Sequence, residues 1–91
     1  RLDSLSGACM LVPRAVFDCI GLLPEHYFLY FEDVAFCLAA REAGFSCKVA
    51  LNATIYHAMG ECTNAIPEQR SYYYNRNRWQ VCHRFAHPLQ R

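Results

Sequence analysis

Apolar and small residues at the start of the chain form a run typical of a buried strand, from Leu5 to Val12. Pro13 follows and suits the first turn of a helix, where its missing amide would have no partner in any case. Apolar residues then recur at helical spacing from Val16 to Ile20, and Gly21 ends this pattern. This part of the chain therefore predicts a strand that runs into a short helix.

Aromatic residues mark the middle of the chain, where a turn around Pro24 leads into the segment His26 to Phe31. We predict that this segment is extended. From Glu32 to Ala43 the residues favour a helix, and Gly44 is a natural stop. Alternation of apolar and polar residues then predicts a strand from Phe45 to Leu51.

The last third of the chain contains a second short predicted strand, Thr54 to His57, and a predicted mobile loop, Ala58 to Ile66. Pro67 can begin a final helix that continues to about Phe85. The predicted order is strand, helix, helix, strand, strand, loop and helix. We therefore expect an α/β fold with about three helices and a few short strands, forming one unit over residues 1–91.

Composition supports a globular domain, because 54% of the 91 residues are hydrophobic and 19% are charged. Such a balance argues against a disordered chain. The uncharged run Leu5 to Pro13 is far too short to span a bilayer. An apolar excess in so small a unit indicates surface that something else covers.

Positive charge is concentrated at the C-terminal end, where residues 67–91 carry five arginines against one glutamate. The remaining residues carry four basic and seven acidic groups. A basic helix can face phosphate groups or an anionic membrane surface, and a solvated helix face is the alternative. Nucleic acid is not an expected partner, because no recognised binding fold surrounds these arginines.

Six cysteines are scattered along the chain without a CxxC pair, which argues against a structural zinc site. An even count permits the disulfide framework of a small secreted domain. We favour free thiols, because Cys19 and Cys37 lie in predicted helices, where cysteine behaves as a small hydrophobe. Reduced thiols indicate a cytoplasmic protein.

Two adjacent carboxylates, Glu32 and Asp33, stand at the start of the second predicted helix, directly after the aromatic segment. A helix N-terminus stabilises negative charge, so both groups can stay ionised. A carboxylate in that state can accept the proton of a sugar hydroxyl as the hydroxyl attacks an activated donor. Simple charge capping of the helix is the alternative explanation and is common.

Four segments occur in an order that adds weight to the chemical explanation: SGACMLVPRAVFDCIG, PEHYFLYFEDVAFCLAAREAGF, TIYHAMG and YYYNRNR. Over about residues 5 to 85, this series resembles family 2 glycosyltransferases of the bacterial rhamnosyltransferase-like type. That family typically shows a G-A-x-M-L strand, an aromatic segment ending in E-D, a short strand ending in His and a Y-x-R-N segment. The resemblance implies the C-terminal part of a GT-A fold.

The resemblance also implies roles for individual residues in an inverting sugar transferase. Asp33 corresponds to the catalytic base, with Glu32 beside it. His57 corresponds to a histidine that helps to hold a divalent metal, Mg²⁺ or Mn²⁺. Arg76 and Arg78 are candidates for binding the phosphates of a nucleotide sugar. The predicted substrate-binding residues are Tyr30, Arg76, Arg78 and Trp79.

The chain departs from the family at two positions of the second helix, where Ala35 and Ala39 replace the usual Asp and Arg. Such an Arg can pair with the Asp, so the double replacement is either one matched change or the mark of an inactive member. The family's N-terminal nucleotide-binding half, with its D-x-D-like metal motif, has no counterpart in these residues and would precede Arg1. We expect the chain to be the acceptor and catalytic-base half, unable to transfer sugar alone.

The resemblance implies an enzyme that moves a sugar from a nucleotide sugar to a saccharide or lipid-linked acceptor in cell-surface polysaccharide synthesis. Its expected location is the cytoplasm, at the inner face of the membrane. The alternative class is a non-catalytic module in which the aromatic segment and the basic helix bind a carbohydrate, a membrane or a protein partner. The replacements at Ala35 and Ala39 favour this alternative slightly.

Overall fold

Three α-helices dominate the computed structural model of the chain, which describes residues 4–58 and 67–86. They are α1 (Arg14–Ile20), α2 (Glu32–Glu42) and α3 (Pro67–Phe85), with one turn of 3-10 helix at Glu25–Tyr27. The three predicted helices are therefore confirmed, with ends at or beside the predicted residues. The predicted loop Ala58 to Ile66 lies, apart from Ala58 itself, outside the described residues.

Helix α2 lies between the other two helices and packs on one face against α1. Phe36 and Ala40, one turn apart on α2, form a buried cluster with Val16 of α1. The ring of Phe17 extends this contact, with its centroid 5.5 Å from that of Phe36. Helix α1 ends at Gly21, whose φ of 86° lies in the left-handed region that suits glycine.

Another face of α2 packs against α3 through a second buried cluster. Ala35 of α2 and Val81 of α3 belong to this cluster, and Tyr27 joins it from the 3-10 turn. Arg84 and Glu42 link the two helices by paired contacts of 3.3 and 3.1 Å. Both partners of this ion pair are more than half exposed, so it contributes at most about 1 kcal/mol. The buried cluster is therefore the stronger attachment of α3.

Helix α3 is the longest helix, with 19 residues, and most of its surface is polar. Its buried positions are Asn77 and Val81, which lie one turn apart. Among residues 4–58 and 67–86, no helix has the length and apolar character needed to cross a membrane.

The predicted strands need correction, because the described residues contain none of them. Residues 4–12 are irregular with a turn at Gly7 and Ala8, and residues 45–58 are irregular with a turn at positions 51 and 52. Within the described ranges, a single β-bridge position at Cys47 is the one trace of sheet pairing. A strand needs a neighbour to exchange hydrogen bonds with, and isolated extended segments of this length are not stable without one.

The aromatic segment His26 to Phe31 also differs from its prediction, since it is folded back on itself rather than extended. The 3-10 turn takes up its start, and three later residues have positive φ: Phe28, Tyr30 and Phe31. Positive φ normally signals glycine, and this segment contains none. Its conformation comes from contacts with α3. The contacting residue Asn77 lies about fifty positions later in the chain.

Replacement of Phe36 by alanine is expected to lower the free energy of unfolding by about 3–5 kcal/mol, because it empties the cluster between α1 and α2. Phe36 is only 4% exposed. The matched control is Leu11→Ala, at a residue that is 98% exposed, with an expected change within about 0.5 kcal/mol. Urea denaturation followed by circular dichroism measures both; equal losses would contradict this account of the core.

Candidate active site

The backbone between the 3-10 turn and α2 has an uncommon conformation. Phe28 has φ of 58° and ψ of −60°, and the amide of Leu29 donates to the carbonyl of Tyr27 at 2.6 Å. These features define a classic γ-turn, which is rare and strained. Tyr30 and Phe31 follow with φ of 68° and 69°, in the left-handed region. Glu32 and Asp33 come directly after these residues, so strained backbone positions the candidate reaction centre.

The side chain of Asn77, on α3, binds this strained segment. It is fully buried, with no exposed surface. Its Nδ2 donates to the carbonyls of Tyr27, Leu29 and Tyr30 at 2.6, 2.5 and 2.9 Å. One amide group therefore contacts three carbonyl oxygens within four consecutive residues.

Arg76, the neighbour of Asn77, extends the same set of contacts. Its Nη2 donates to the carbonyls of His26 and Tyr27 at 3.0 and 3.2 Å. Its Nε donates to Oδ1 of Asn77 at 3.0 Å. The guanidinium group also lies over the ring of Tyr73, 4.7 Å from the centroid. Arg76 thus contacts the turn before the carboxylates, while its predicted role in phosphate binding stays a prediction.

Aromatic rings reinforce the attachment of this segment to α3. Phe28 lies 4.9 Å from Tyr73, measured between ring centroids. Tyr30 and Phe31 both contact Tyr74, at 5.8 and 5.1 Å. Tyr30, a predicted substrate-binding residue, is therefore held beside α3, two positions before Glu32.

Asp33 is fixed by hydrogen bonds to both of its carboxylate oxygens. Oδ2 accepts from the amide of Gly7 at 2.8 Å, and Oδ1 accepts from the amide of Val34 at the same distance. A side chain at position 7 would crowd this contact, because an added Cβ would lie 3.2 Å from the Cβ of Asp33. Glycine at this position lets the irregular N-terminal segment approach the carboxylate closely.

Cys37 anchors the same N-terminal segment one turn further along α2. Its sulfur accepts from the amide of Leu5 at 3.4 Å. Burial raises the pKa of the Cys37 thiol, and the hydrogen bond with the backbone of Leu5 opposes this rise. Nearby Cys47 and the charge of Asp33 raise the pKa further. All five cysteines in the described part of the chain are free.

Glu32 differs from Asp33 in its surroundings. Its Oε2 is buried and accepts no hydrogen bond from any described residue. A buried carboxylate oxygen without a donor is costly, so such atoms are uncommon outside functional sites. The pair therefore combines one carboxylate that is held on both oxygens with one that keeps an unused acceptor.

The other predicted site residues lie elsewhere on the surface. His57 is exposed in the irregular segment before residue 59, and Arg78 is exposed on α3. Trp79 is 66% exposed and stacks on His83, with ring centroids 5.1 Å apart and planes inclined by 7°. In residues 4–58 and 67–86, no group of three or more His, Cys, Asp or Glu side chains can hold a metal ion. Within these ranges His57 is a single candidate ligand, and its role in holding a metal stays a prediction.

A cavity of about 460 Å³ lies between α2 and α3. Ala35 and Ala39, where the family has Asp and Arg, both line it from α2. Tyr27 lines it too, and burial raises the pKa of its phenol while the positive charge of Arg84 opposes this. Gln80 adds a buried Oε1 without a hydrogen-bond donor among the described residues. The two alanines therefore share one cavity, which supports the idea of a matched replacement.

Sequence reasoning did not assign functional roles to Asn77, Gly7 and Cys37. Asn77 carries a signal, because it lies in the Y-x-R-N segment, but the charge of Arg76 makes the arginine the evident candidate for a role. A polar amide between two arginines gives no sign that it is the most deeply buried side chain of the helix. The contacts of Gly7 and Cys37 depend on a segment that was expected to be a strand.

Comparisons with known proteins agree with this picture. A family model described as "Glycosyltransferase like family 2" matches residues 1–82 of the chain. The low-salt glycan biosynthesis hexosyltransferase Agl10 of Haloferax volcanii is 42% identical over 40 residues, which are 44% of this chain and 13% of that protein. An N-acetylglucosaminyl-diphospho-decaprenol L-rhamnosyltransferase of Mycobacterium tuberculosis is 35% identical over 63 residues, which are 69% of this chain and 20% of that protein. No solved structure matches the chain.

Because the family model covers most of its length, the chain belongs to glycosyltransferase family 2. The resemblance inferred from the motifs is thereby confirmed. Membership implies a GT-A fold, and the described residues contain three helices and none of the predicted strands. The chain spans 13% and 20% of the lengths of the two relatives above.

Restoring the family residues tests whether the two alanines are a matched pair. Ala35→Asp alone is expected to destabilise the protein by about 3 kcal/mol or more, because position 35 is 4% exposed and the charge would be unpaired. Adding Ala39→Arg, one turn later, is expected to recover about 0.5–3 kcal/mol of that loss. Ala39→Met, added to Ala35→Asp in the same way, is the control, since it fills the cavity without a charge. Equal recovery of the free energy of unfolding by Met would contradict pairing between Asp and Arg. Thermal and urea unfolding give the four free energies.

Proposed function

We propose that the chain is the acceptor and catalytic-base part of an inverting glycosyltransferase, which moves a sugar from a nucleotide-sugar donor to a saccharide or lipid-linked acceptor. The observation that carries the proposal is the fixed carboxylate of Asp33 at the N-terminus of α2, held by the amide of Gly7 at 2.8 Å. Membership of the family supports sugar transfer as the reaction class.

In the proposed reaction, Asp33 accepts the proton of an acceptor hydroxyl as the hydroxyl oxygen attacks the anomeric carbon of the donor. The bond between that carbon and the nucleoside diphosphate breaks, and the configuration at the carbon inverts. The two hydrogen bonds fix the direction of the Asp33 carboxylate. Each carboxylate oxygen keeps a second lone pair that can receive the proton.

The proposed acceptor surface is a recess of about 280 Å³ beside Tyr30. Its other lining residues lie on α3: Arg70, Ser71, Tyr74 and Asn75. Aromatic rings and short polar side chains suit a sugar, which has apolar C–H faces and hydroxyl edges. Tyr30, which lines the recess, lies two positions before Glu32. This favours an acceptor that approaches the carboxylate pair from the side of the recess.

The relatives' names indicate the class of acceptor. The mycobacterial relative is named for transfer of rhamnose to N-acetylglucosaminyl-diphospho-decaprenol, and the archaeal one for low-salt glycan biosynthesis. We extend this to a lipid-linked acceptor in cell-surface polysaccharide synthesis, at the cytoplasmic face of the membrane. The exposed Arg78 on the basic helix α3 supports contact with phosphate groups or with an anionic membrane surface.

A divalent metal at the donor diphosphate, with His57 as one ligand, remains a prediction from the family. The described residues do not supply a set of ligands for it, so no step of the proposed reaction is assigned to a metal.

A non-catalytic binding module is the second candidate. The cavity opened by Ala35 and Ala39 favours it, since the family's charged pair is missing there. A module of this kind would bind sugar or lipid without a metal and would show no transfer in the full-length protein.

Asp33→Asn in the full-length protein is expected to lower turnover by about 10²–10⁴-fold, because the amide cannot accept the proton. Donor binding, measured by calorimetry, is expected to stay within about twofold, because the change removes a proton acceptor and no predicted donor contact. Asp18→Asn is the matched control, at an exposed acid of α1. Turnover and donor affinity are measured for both variants.

Unchanged turnover in Asp33→Asn would overturn the assignment of the base. A large loss in Glu32→Gln, without one in Asp33→Asn, would move that role to Glu32. Absence of transfer by the unaltered full-length protein from any nucleotide sugar, together with metal-independent sugar binding, would favour the binding module.

A further inference from the structure

We infer that Asn77, oriented by Arg76, is a positioning residue that sets the direction of the Glu32–Asp33 pair by holding the strained backbone of residues 27–31. This inference rests on the proposed function of the pair. It assigns to the Y-x-R-N segment a role in shaping the backbone that leads into the reaction centre.

The backbone of residues 27–31 is strained. Phe28, Tyr30 and Phe31 all have positive φ, and none of them is glycine. Each such residue costs on the order of 1 kcal/mol or more, and the classic γ-turn at Phe28 adds to this. A chain of these residues would leave this conformation if nothing outside the segment held it.

The contacts of Asn77 fall on the segment that contains the strained residues, since Tyr27 and Leu29 flank Phe28 and Tyr30 itself has positive φ. Its Nδ2 lies 2.6 Å from the carbonyl of Tyr27 and 2.5 Å from that of Leu29, on the two sides of the γ-turn. The third contact, 2.9 Å, reaches Tyr30. The two N–H hydrogens of this amide are shared among three buried or partly buried carbonyls, and the carbonyl of Tyr27 accepts from Arg76 as well.

Arg76 sets the orientation of the Asn77 side-chain amide. Nε of Arg76 donates to Oδ1 of Asn77 at 3.0 Å, so the oxygen faces the guanidinium and the NH₂ group faces the loop. A reversed amide would place Oδ1 against three carbonyl oxygens and would leave Nε of Arg76 facing another donor. Arg76 therefore fixes the orientation of Asn77 in addition to its own bonds with His26 and Tyr27.

The strained segment is joined directly to α2 through Phe31. The carbonyl of Phe31 accepts the first hydrogen bond of α2, from the amide of Ala35 at 2.8 Å. Helix α2 has no side-chain cap, so the left-handed Phe31 is the junction that sets where the first turn points. Glu32 and Asp33 occupy that turn. The backbone held by Asn77 thus fixes them from one side, and the amide of Gly7 fixes Asp33 from the other.

The test compares Asn77→Ser with Val81→Ala in the full-length protein. Val81 is buried on the same face of α3, one turn away, and its truncation weakens the helix packing without removing a hydrogen bond to the loop. Both variants are assayed well below their melting temperatures. Asn77→Ser is expected to lower kcat by about 10–100-fold with little change in the donor KM, since small displacements of catalytic groups have effects of this size. Val81→Ala is expected to keep kcat within about threefold.

Chymotrypsin provides a measurement that does not depend on activity, because the loop contains four of its target residues: Tyr27, Phe28, Tyr30 and Phe31. Mass spectrometry is expected to show faster cleavage at these sites in Asn77→Ser than in Val81→Ala. Phe28→Gly is the rescue variant, since Phe28 is 71% exposed and glycine removes the cost of positive φ. In the Asn77→Ser background it is expected to slow cleavage at the three sites that remain, Tyr27, Tyr30 and Phe31, and to recover part of kcat.

Equal loss of kcat in Asn77→Ser and Val81→Ala, or kcat within threefold of the unaltered protein in Asn77→Ser, would overturn the inference. If Asn77→Ser does not fold, the same criteria apply to the double variant with Phe28→Gly, compared with Val81→Ala carrying Phe28→Gly. Asp33→Asn is assayed in parallel. Its full activity would reject the proposed base, whereas its inactivity beside a fully active Asn77→Ser would reject the positioning role alone.

Discussion

The hydrogen bonds from one buried amide to three carbonyls are the constraint on which the candidate site depends. Without the Nδ2 group of Asn77, the carbonyls of Leu29 and Tyr30 would lose a side-chain donor, and that of Tyr27 would keep only its contact with Arg76. The left-handed backbone before α2 would then lose much of its support. The two carboxylates follow that backbone directly. The geometry of the reaction centre is thus determined by a residue that takes no part in the proposed chemistry.

Two kinds of contact meet at the first turn of α2. On one side, α3 fixes the backbone through Asn77 and through the rings of Tyr73 and Tyr74. On the other side, the N-terminal segment approaches Asp33 closely, because Gly7 has no side chain in the way. The proposed base is held between two parts of the chain that are distant in sequence, which limits the directions its carboxylate can take.

The helices were predictable because their signals are local. Apolar spacing, Pro67 and the glycines at positions 21 and 44 are enough to place all three. The position of the carboxylate pair in the first turn of α2 was predictable for the same reason, while its role stays a prediction from the motif order. The strands were not, since a strand depends on partners that the described residues do not contain. The conformation of the loop at residues 27–31 was not predictable. Contacts with α3 impose the positive φ of its aromatic residues, and the sequence of the loop itself carries no sign of this conformation.

The separation along the chain between Asn77 and its carbonyl partners is 47 to 50 positions. A contact of this range forms late, because closing so long a segment has an entropic cost that must be met before the contact gains anything. During synthesis, α2 and its two acidic residues emerge well before α3 exists. The pair therefore acquires its final direction only when α3 docks, which couples the competence of the site to completion of the domain.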